Sequence, residues 1–179
     1  MRTIIVGCGR VGASLAGRLA AAGHDVTIID VITESFQRLP DDFPGQAIRG
    51  DGTDEDVLRR AGSEGADNFF ALTEGDNRNV LAAQLAAESL GIPTVVAKIN
   101  DPVRAQAYAE LGIATICRTR MMVDSLGVFL GLPSEPSTHD VIQVLGQHPG
   151  GSHPIPAGDH PTESPPRPAA TAGVTGTEA

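Results

Sequence analysis

The stretch Ile4-Ile5-Val6-Gly7-Cys8-Gly9-Arg10-Val11-Gly12 decides the fold, because it joins an apolar run to three glycines with the spacing Gly-x-Gly-x-x-Gly. The β-branched run from Thr3 to Val6 predicts a strand buried in a parallel sheet. In such a motif Gly7 permits the tight turn, Gly9 lets the backbone approach a pyrophosphate, and Gly12 lets the following helix pack close to the sheet. The motif therefore predicts a strand, a phosphate-binding turn and a helix in succession.

The segment after the glycines predicts a helix whose first turn faces the phosphate-binding turn. From Val11 onward, the apolar residues Leu15, Leu19 and Ala22 recur at helical spacing. The N–H groups of a first turn, together with the helix dipole, make a helix N-terminus a ready site for an anion. Arg10 adds a guanidinium group beside the phosphates.

Asp30 closes the second apolar run, Val26-Thr27-Ile28-Ile29, eighteen residues beyond Gly12. A carboxylate at this point can accept hydrogen bonds from both ribose hydroxyls of an adenosine, and it repels a 2′-phosphate. The sequence therefore favours NAD over NADP, and adenine nucleotides such as ATP or ADP are also admissible. The alternative is a site that kept the fold and lost the ligand.

Strand-like and helical patterns alternate along the chain almost to position 133. After the first two strands, we predict strands at Gln46–Ile48, Asp67–Leu72, Thr94–Ile99 and Ile113–Cys117, and helices at Glu34–Leu39, Thr53–Ala61, Asp76–Leu90, Pro102–Leu111 and Thr119–Leu130. Thr53 is the predicted N-cap of its helix, with Asp56 reciprocating in a capping box. This α/β alternation predicts a doubly wound parallel sheet, a Rossmann fold, formed by a single domain over residues 1–133.

Residues 134–179 differ in composition from the rest of the chain. Eight of these 46 residues are proline, and glycine, serine and threonine fill much of the remainder. Such a segment cannot bury enough apolar area to offset its ordering entropy, which predicts a disordered C-terminal tail. The tail carries four of the five histidines, but their spacing fits no standard metal-ligand set, so we predict no metal site: they are His139, His148, His153 and His160.

Charge and composition limit the classes of function. The formal net charge of −9, from 13 Lys plus Arg against 22 Asp plus Glu, argues against a nucleic-acid groove. No window approaches the length of a membrane span and no signal-type segment opens the chain, so we expect a cytoplasmic protein. Cys8 and Cys117 form no disulfide framework or metal cluster. The place of Cys8 near a helix N-terminus leaves open a redox-sensing thiol with a lowered pKa.

Polar residues follow the later strands, where a doubly wound sheet binds its ligand. Asp51 follows the third strand, Thr73 and Glu74 follow the fourth, and Lys98, the only lysine, ends the fifth. Asp51 can accept a hydrogen bond from the adenine amino group, or it can serve a turn between two glycines. Thr73 and Glu74 can border the phosphates or the second ribose, or they can cap the following helix. Lys98 either faces a phosphate or is a surface charge.

Five motifs occur together along this chain: Gly7–Gly12, Asp30, Gly50-Asp51-Gly52-Thr53, Ala71–Asn79 and Lys98–Pro102. In this combination the chain resembles the N-terminal domain of the Trk/Ktr potassium-uptake regulators, also called the RCK domain, over residues 1 to about 133. The resemblance implies a cytoplasmic regulatory subunit that binds NAD(H) or ATP/ADP and gates a membrane potassium or cation transporter or channel by a ligand-dependent conformational change. Such a subunit reaches the inner face of the cell membrane through its partner.

The resemblance also assigns roles within the site. It gives the phosphates to the glycine loop, the ribose to Asp30 and the adenine to Asp51, and it makes Arg10 the group that discriminates ATP from ADP. The family commonly has arginine where this chain has Lys98, which weakens bidentate phosphate binding but keeps the charge. The predicted nucleotide-binding residues are Gly7, Cys8, Gly9, Arg10, Val11, Gly12, Asp30, Asp51, Gly52, Thr73, Glu74 and Lys98.

Members of this family assemble as dimers and rings, and the helix after the sixth strand crosses to a neighbouring subunit. In this chain that helix is Thr119–Leu130, and the alternative is a helix that faces its own core. We expect the C-terminal regulatory domain of the family to be missing, and therefore a homodimer or an assembly with a longer paralogous regulator. The apolar residues of the helix are Met121, Met122, Leu126, Phe129 and Leu130.

The competing class of function is an NAD-dependent oxidoreductase built on the same fold. Tyr108, the sole tyrosine, is followed four residues later by Gly112, so the chain has no Tyr-x-x-x-Lys pair. A substrate domain is also absent from the sequence pattern. We therefore predict a binding protein and not an enzyme, with a degenerate scaffold subunit that binds no ligand as a third alternative.

Overall fold

A computed structural model of the chain describes residues 1–132, and the predicted tail lies outside the described residues. The strands are β1 (Arg2–Val6), β2 (Asp25–Asp30), β3 (Gln46–Arg49), β4 (Asn68–Ala71), β5 (Thr94–Ile99) and β6 (Ala114–Cys117). The α-helices are α1 (Arg10–Ala21), α2 (Glu55–Arg60), α3 (Asp76–Gln84), α4 (Pro102–Glu110) and α5 (Arg118–Phe129). A 3₁₀-helix at Thr33–Arg38 follows β2, and a π-helical turn at Leu85–Ser89 continues α3.

All six strands are parallel and lie in the order β3-β2-β1-β4-β5-β6. The chain moves outward from β1 to β3, then crosses back to β4 on the other side of β1 and continues outward to β6. This order is the doubly wound topology that the sequence predicts, and it opens a crevice where β1 and β4 end. Ile4, Ile5 and Val6 of β1 are at most 2% exposed, as a central strand covered on both faces requires.

Small residues bring α1 close to the sheet. The buried residues of the helix are Gly12, Ala13, Ala16 and Ala20. Of the apolar residues whose spacing predicts the helix, Leu15 and Leu19 are partly buried and pack against the core, whereas Val11 and Ala22 are exposed. Small side chains can approach the strands more closely than leucines, so they occupy the centre of the interface.

The predicted N-cap Thr53 is also wrong. Asp54 caps α2, because its side chain accepts hydrogen bonds from the N–H groups of Asp56 and Val57 at 2.9 and 3.4 Å. The Thr53 hydroxyl and N–H both donate to Asp51 Oδ1, at 2.8 and 3.0 Å. Thr53 belongs to the Asp51 turn and lies one residue before the N-cap of the helix.

The predicted helix Asp76–Leu90 changes its winding in its last turn. The Leu90 N–H donates to the carbonyl of Leu85, five residues earlier, at 3.1 Å. The wider turn keeps Ala86, Leu90 and Ile92 in one buried cluster with the sheet, while the chain reverses at Gly91 with a φ of +64°.

Helix α5 buries none of its residues within the described chain. The alternative of a core-facing helix is therefore wrong for the part of the chain that the structure describes. No helix within residues 1–132 is both long and apolar enough to cross a membrane.

Candidate functional site

A cavity of about 370 Å³ lies at the carboxyl ends of the central strands, where the topology opens the crevice. It is bordered by the loops that follow β1, β2, β3 and β4. Eight of the twelve predicted nucleotide-binding residues line it, namely Gly7, Gly9, Arg10, Asp30, Asp51, Gly52, Thr73 and Glu74. The remaining four are not among the lining residues, namely Cys8, Val11, Gly12 and Lys98.

The three glycines of the motif play different parts in the structure. Gly7 has a φ of +105°, and a Cβ there would lie 2.9 Å from the backbone of Leu72 and Thr73. A Cβ at Gly12 would overlap the carbonyl oxygen of Gly7, so only glycine lets α1 begin this close to β1. A Cβ at Gly9 would meet no described atom within 4 Å. Gly7 and Gly12 therefore serve the fold, whereas Gly9 borders open space in the cavity.

The N-terminus of α1 carries no side-chain cap. Gly9 is its N-cap, and the first main-chain bond within the helix runs from the Ala13 N–H to the Gly9 carbonyl, at 2.9 Å. Asp54 and Asp101, by contrast, cap α2 and α4 with their carboxylates. The first-turn amides of α1, including those of Val11 and Gly12, are thus left for an external acceptor, with the positive end of the helix dipole behind them.

Asp30 joins the glycine loop to the end of β2. Its Oδ2 accepts a hydrogen bond from the Cys8 N–H at 2.7 Å, and its Oδ1 accepts one from the Ile32 N–H at 2.8 Å. These bonds orient the carboxylate at the cavity wall. Each carboxylate oxygen can accept a further hydrogen bond, so Asp30 keeps acceptor capacity for two adjacent hydroxyl groups.

Cys8 is completely buried, and its thiol lies 3.3 Å from the carbonyl oxygen of Ser35. Burial and, after it, the charge of Asp30 raise the pKa of the Cys8 thiol to about 11, and Arg38 partly opposes them. The alternative of a redox-sensing thiol with a lowered pKa is therefore wrong, because a buried thiol beside a carboxylate resists ionisation.

Asp51 serves a turn and also lines the cavity. Hydrogen bonds from the Thr53 N–H and then from the Thr53 hydroxyl hold the pKa of the Asp51 carboxyl below its usual value, and Arg78 adds to this. Both bonds use Oδ1. Gly52 packs on Val6, whose side chain a Cβ at Gly52 would overlap.

Thr73 is held by a fully buried asparagine. Asn79 Oδ1 accepts hydrogen bonds from the Thr73 N–H at 2.9 Å and the Thr73 hydroxyl at 2.6 Å. Its Nδ2 donates to the carbonyls of Thr73 at 2.9 Å and Lys98 at 2.7 Å. The N-cap of α3 is Gly75, so helix capping is not the role of Thr73 or Glu74. Asn79 lies within the motif 71–79, but its pattern alone gave no reason to place its side chain there.

Asp76 connects the same loop to the end of β5. Its Oδ1 accepts from the N–H and Nδ2 of Asn100, both at 2.9 Å, and its Oδ2 accepts from the Asp101 N–H at 3.3 Å. Burial of the Asp76 carboxyl opposes its ionisation, but these hydrogen bonds and Arg104 outweigh it and lower the pKa. The β4–α3 and β5–α4 loops are therefore tied together.

Lys98 is only 5% exposed, so the alternative of a surface charge is wrong. Its Nζ lies 3.5 Å from Glu74 Oε1. Lys98 itself is not a lining residue of the cavity, but its ion-pair partner Glu74 is.

Sequence reasoning missed two arginines of the cavity wall, Arg38 from the 3₁₀-helix and Arg78 from α3. With Arg10 they bring three guanidinium groups to a cavity that also carries Asp30, Asp51 and Glu74. The local charge is balanced although the chain has a net charge of −9. Arg78 lies in a motif that the sequence singled out, whereas no signal marked Arg38. Among residues 1–132, no group of three or more His, Cys, Asp or Glu side chains is arranged to hold a metal ion.

The family model described as the TrkA-N domain matches residues 3–119 of this chain. The Trk system potassium uptake protein TrkA of Streptomyces coelicolor is 45% identical over 126 residues, which are 70% of this chain and 56% of that protein. A TrkA homolog of Pyrococcus abyssi is 37% identical over 111 residues, 62% of this chain and 49% of that protein. The chain thus spans about half the length of these two relatives.

Solved structures share the fold. The TrkA-N domain of the inner membrane protein ybaL from Escherichia coli has a TM-score of 0.64 at 18% identity, over 72% of this chain and 96% of that one. The GsuK channel bound to NAD has a TM-score of 0.59 at 22% identity, over 71% of this chain and 23% of that one. The GsuK bound to ADP gives 0.58 at 22% identity, over 71% and 34%. At these identities the likeness is one of fold.

Proposed function

Because this chain belongs to the TrkA-N domain family, we propose that it is a nucleotide-binding regulatory domain of a potassium-transport system. The ligand we propose is NAD(H) or ATP/ADP. Two kinds of neighbour support this, namely relatives named as Trk potassium uptake proteins and a channel of the same fold solved with NAD and with ADP.

One observation carries the proposal: the uncapped first turn of α1 and the carboxylate of Asp30 border the same cavity. Backbone amides backed by a helix dipole bind a diphosphate, and a carboxylate one strand away binds a ribose. We assign the phosphates to the backbone of residues 7–12 and the side chain of Arg10, the ribose to Asp30 and the adenine to Asp51.

The mechanism we propose is binding without chemistry. A nucleotide that binds one arrangement of the assembly more tightly shifts the population toward it, by no more free energy than its differential affinity supplies. The partner would be a membrane potassium or cation transporter or channel, reached at the inner face of the membrane. The exposed apolar side of α5 is the surface that we assign to a second subunit, either a copy of this chain or a longer paralogous regulator.

Titration calorimetry with NAD, ATP and ADP on the full chain tests the site. Asp30→Ala should weaken binding of all three roughly tenfold or more, because a charge-assisted hydrogen bond contributes about 1.5–3 kcal/mol. Asp25→Ala is the matched control, since Asp25 starts the same strand and pairs with Arg2 at the far end from the cavity. Equal affinities in both variants would refute the assignment of Asp30.

Arg10→Ala tests the assignment of the terminal phosphate. We expect this variant to lose the difference in affinity between ATP and ADP while still binding ADP. If the variant distinguishes ATP from ADP as well as the unaltered chain does, the terminal phosphate is bound by Arg38 or Arg78 instead.

A further inference from the structure

Lys98 is a buried cation whose charge partner is exposed. Its side chain is 6% exposed, whereas the side chain of Glu74, 3.5 Å from Nζ, is 81% exposed. Within residues 1–132, Glu74 supplies the only carboxylate in ion-pair range of Nζ. An ammonium group has three N–H donors, and a buried charge is unfavourable unless it is paired and hydrogen-bonded. Lys98 is thus paired with a single carboxylate, and that carboxylate can move into solvent easily because it is already exposed.

Lys98 lies one strand beyond a residue that lines the cavity. Phe70 of β4 is in register with Val96 of β5, and strand residues two apart share a face. Leu72, two residues after Phe70, lines the cavity, and Lys98 occupies the equivalent place one strand further. Glu74, the ion-pair partner of Lys98, itself lines the cavity.

The strand order sets how far a ligand must extend to reach Lys98. The glycine loop follows β1, and Lys98 is the penultimate residue of β5, two strands away. Neighbouring strands are about 4.8 Å apart, so the distance across the strand ends is about 10 Å. The single phosphate of AMP, seated on the glycine loop, stops short of Lys98, whereas a triphosphate chain extends toward it.

We propose that Glu74 is a specificity-determining residue whose carboxylate occupies, at Lys98, the position that a distal phosphate of the ligand takes. This rests on the proposed function of the cavity. When a triphosphate binds, Glu74 swings into water, which costs little because its side chain is already exposed. Lys98 stays charged and paired in both states, so the Lys98–Glu74 pair disfavours ATP relative to nucleotides that carry no phosphate at this end.

A double-mutant cycle on the full chain tests the proposal, with calorimetric titration of AMP and ATP against four proteins: the unaltered chain, Glu74→Gln, Lys98→Met and the double variant. Glu74→Gln should raise the affinity for ATP roughly tenfold and leave that for AMP within about twofold. In the Lys98→Met background the same change should raise ATP affinity by less than about threefold, because the cation that a phosphate would reach is gone. Glu88→Gln, an exposed acid away from the cavity, is the control and should change neither affinity.

Three outcomes overturn the proposal. ATP affinity unchanged in Glu74→Gln shows that no phosphate competes with this carboxylate. An equal gain in ATP affinity from Glu74→Gln with and without Lys98 shows that Glu74 merely repels the phosphates as a negative charge. Failure of the unaltered chain to bind AMP, ATP and, in a parallel titration, NAD refutes the proposed function itself, whereas the first two outcomes leave it intact. Thermal melts of all variants establish that each one is folded.

Discussion

Removal of the Asn79 side chain should destabilise the domain more than any other exchange of one polar residue in α3. Asn79 is fully buried and makes four hydrogen bonds, three to Thr73 and one to the carbonyl of Lys98. Each bond contributes about 0.5–1.5 kcal/mol, and a buried group left unpaired costs about 1–3 kcal/mol. Because the bonds share one side chain they are not additive, and Asn79→Ala should lower the free energy of unfolding by about 3 kcal/mol.

The assay is urea unfolding followed by circular dichroism, with the midpoint and slope fitted separately. Asn77→Ala is the matched control, because Asn77 lies two residues earlier, is exposed, and bonds only to Arg104 among the described residues. We expect this control to lose less than about 1 kcal/mol. Equal losses in the two variants would refute the argument that Asn79 holds the ends of β4 and β5 together.

Further predictions concern the glycine loop, the cysteines and acid stability. Gly12→Ala should destabilise the fold by about 2 kcal/mol or more in urea unfolding, since its Cβ overlaps a carbonyl oxygen, whereas Gly9→Ala should unfold normally and lose only nucleotide affinity in calorimetry. Iodoacetamide at neutral pH should label Cys117 and leave Cys8 intact by mass spectrometry, because Cys8 is buried with a pKa of about 11; rapid labelling of Cys8 would contradict this. The pKa of Asp76 is lowered on folding, so the ionised carboxylate stabilises the fold above the ordinary pKa of 3.8, and this stabilisation is lost as the pH falls below 3.8. Asp76→Asn should therefore make the free energy of unfolding fall less steeply in acid. An unchanged fall in acid would contradict this.

The strands could be predicted because each is short and is bounded by turn residues, and because β1, β2 and β5 are rich in β-branched residues. All six were placed within one residue of their observed ends, and their alternation with helices predicted the doubly wound order. The errors arose where neighbouring residues compete for one role. Thr53 and Asp54 are both good N-cap residues, and only the position of Asp51 decides that Thr53 belongs to the turn.

The cavity could be predicted in part because strand ends in such a sheet converge on one edge. Asp30 and Thr73 follow their strands directly, so chain order locates them. Arg38 extends in from a 3₁₀-helix, and its approach depends on how that segment folds back over β2. Lys98 was placed at the right strand end, but its burial behind Glu74 depends on packing that sequence spacing does not encode.

A crystal structure of the chain with saturating NAD, ATP or ADP tests the nucleotide site most directly. We predict electron density for a diphosphate within hydrogen-bonding distance of the N–H groups of residues 10–12, with ribose hydroxyls on Asp30. A nucleotide bound elsewhere, or an empty cavity in a chain that calorimetry shows to be saturated, would contradict it.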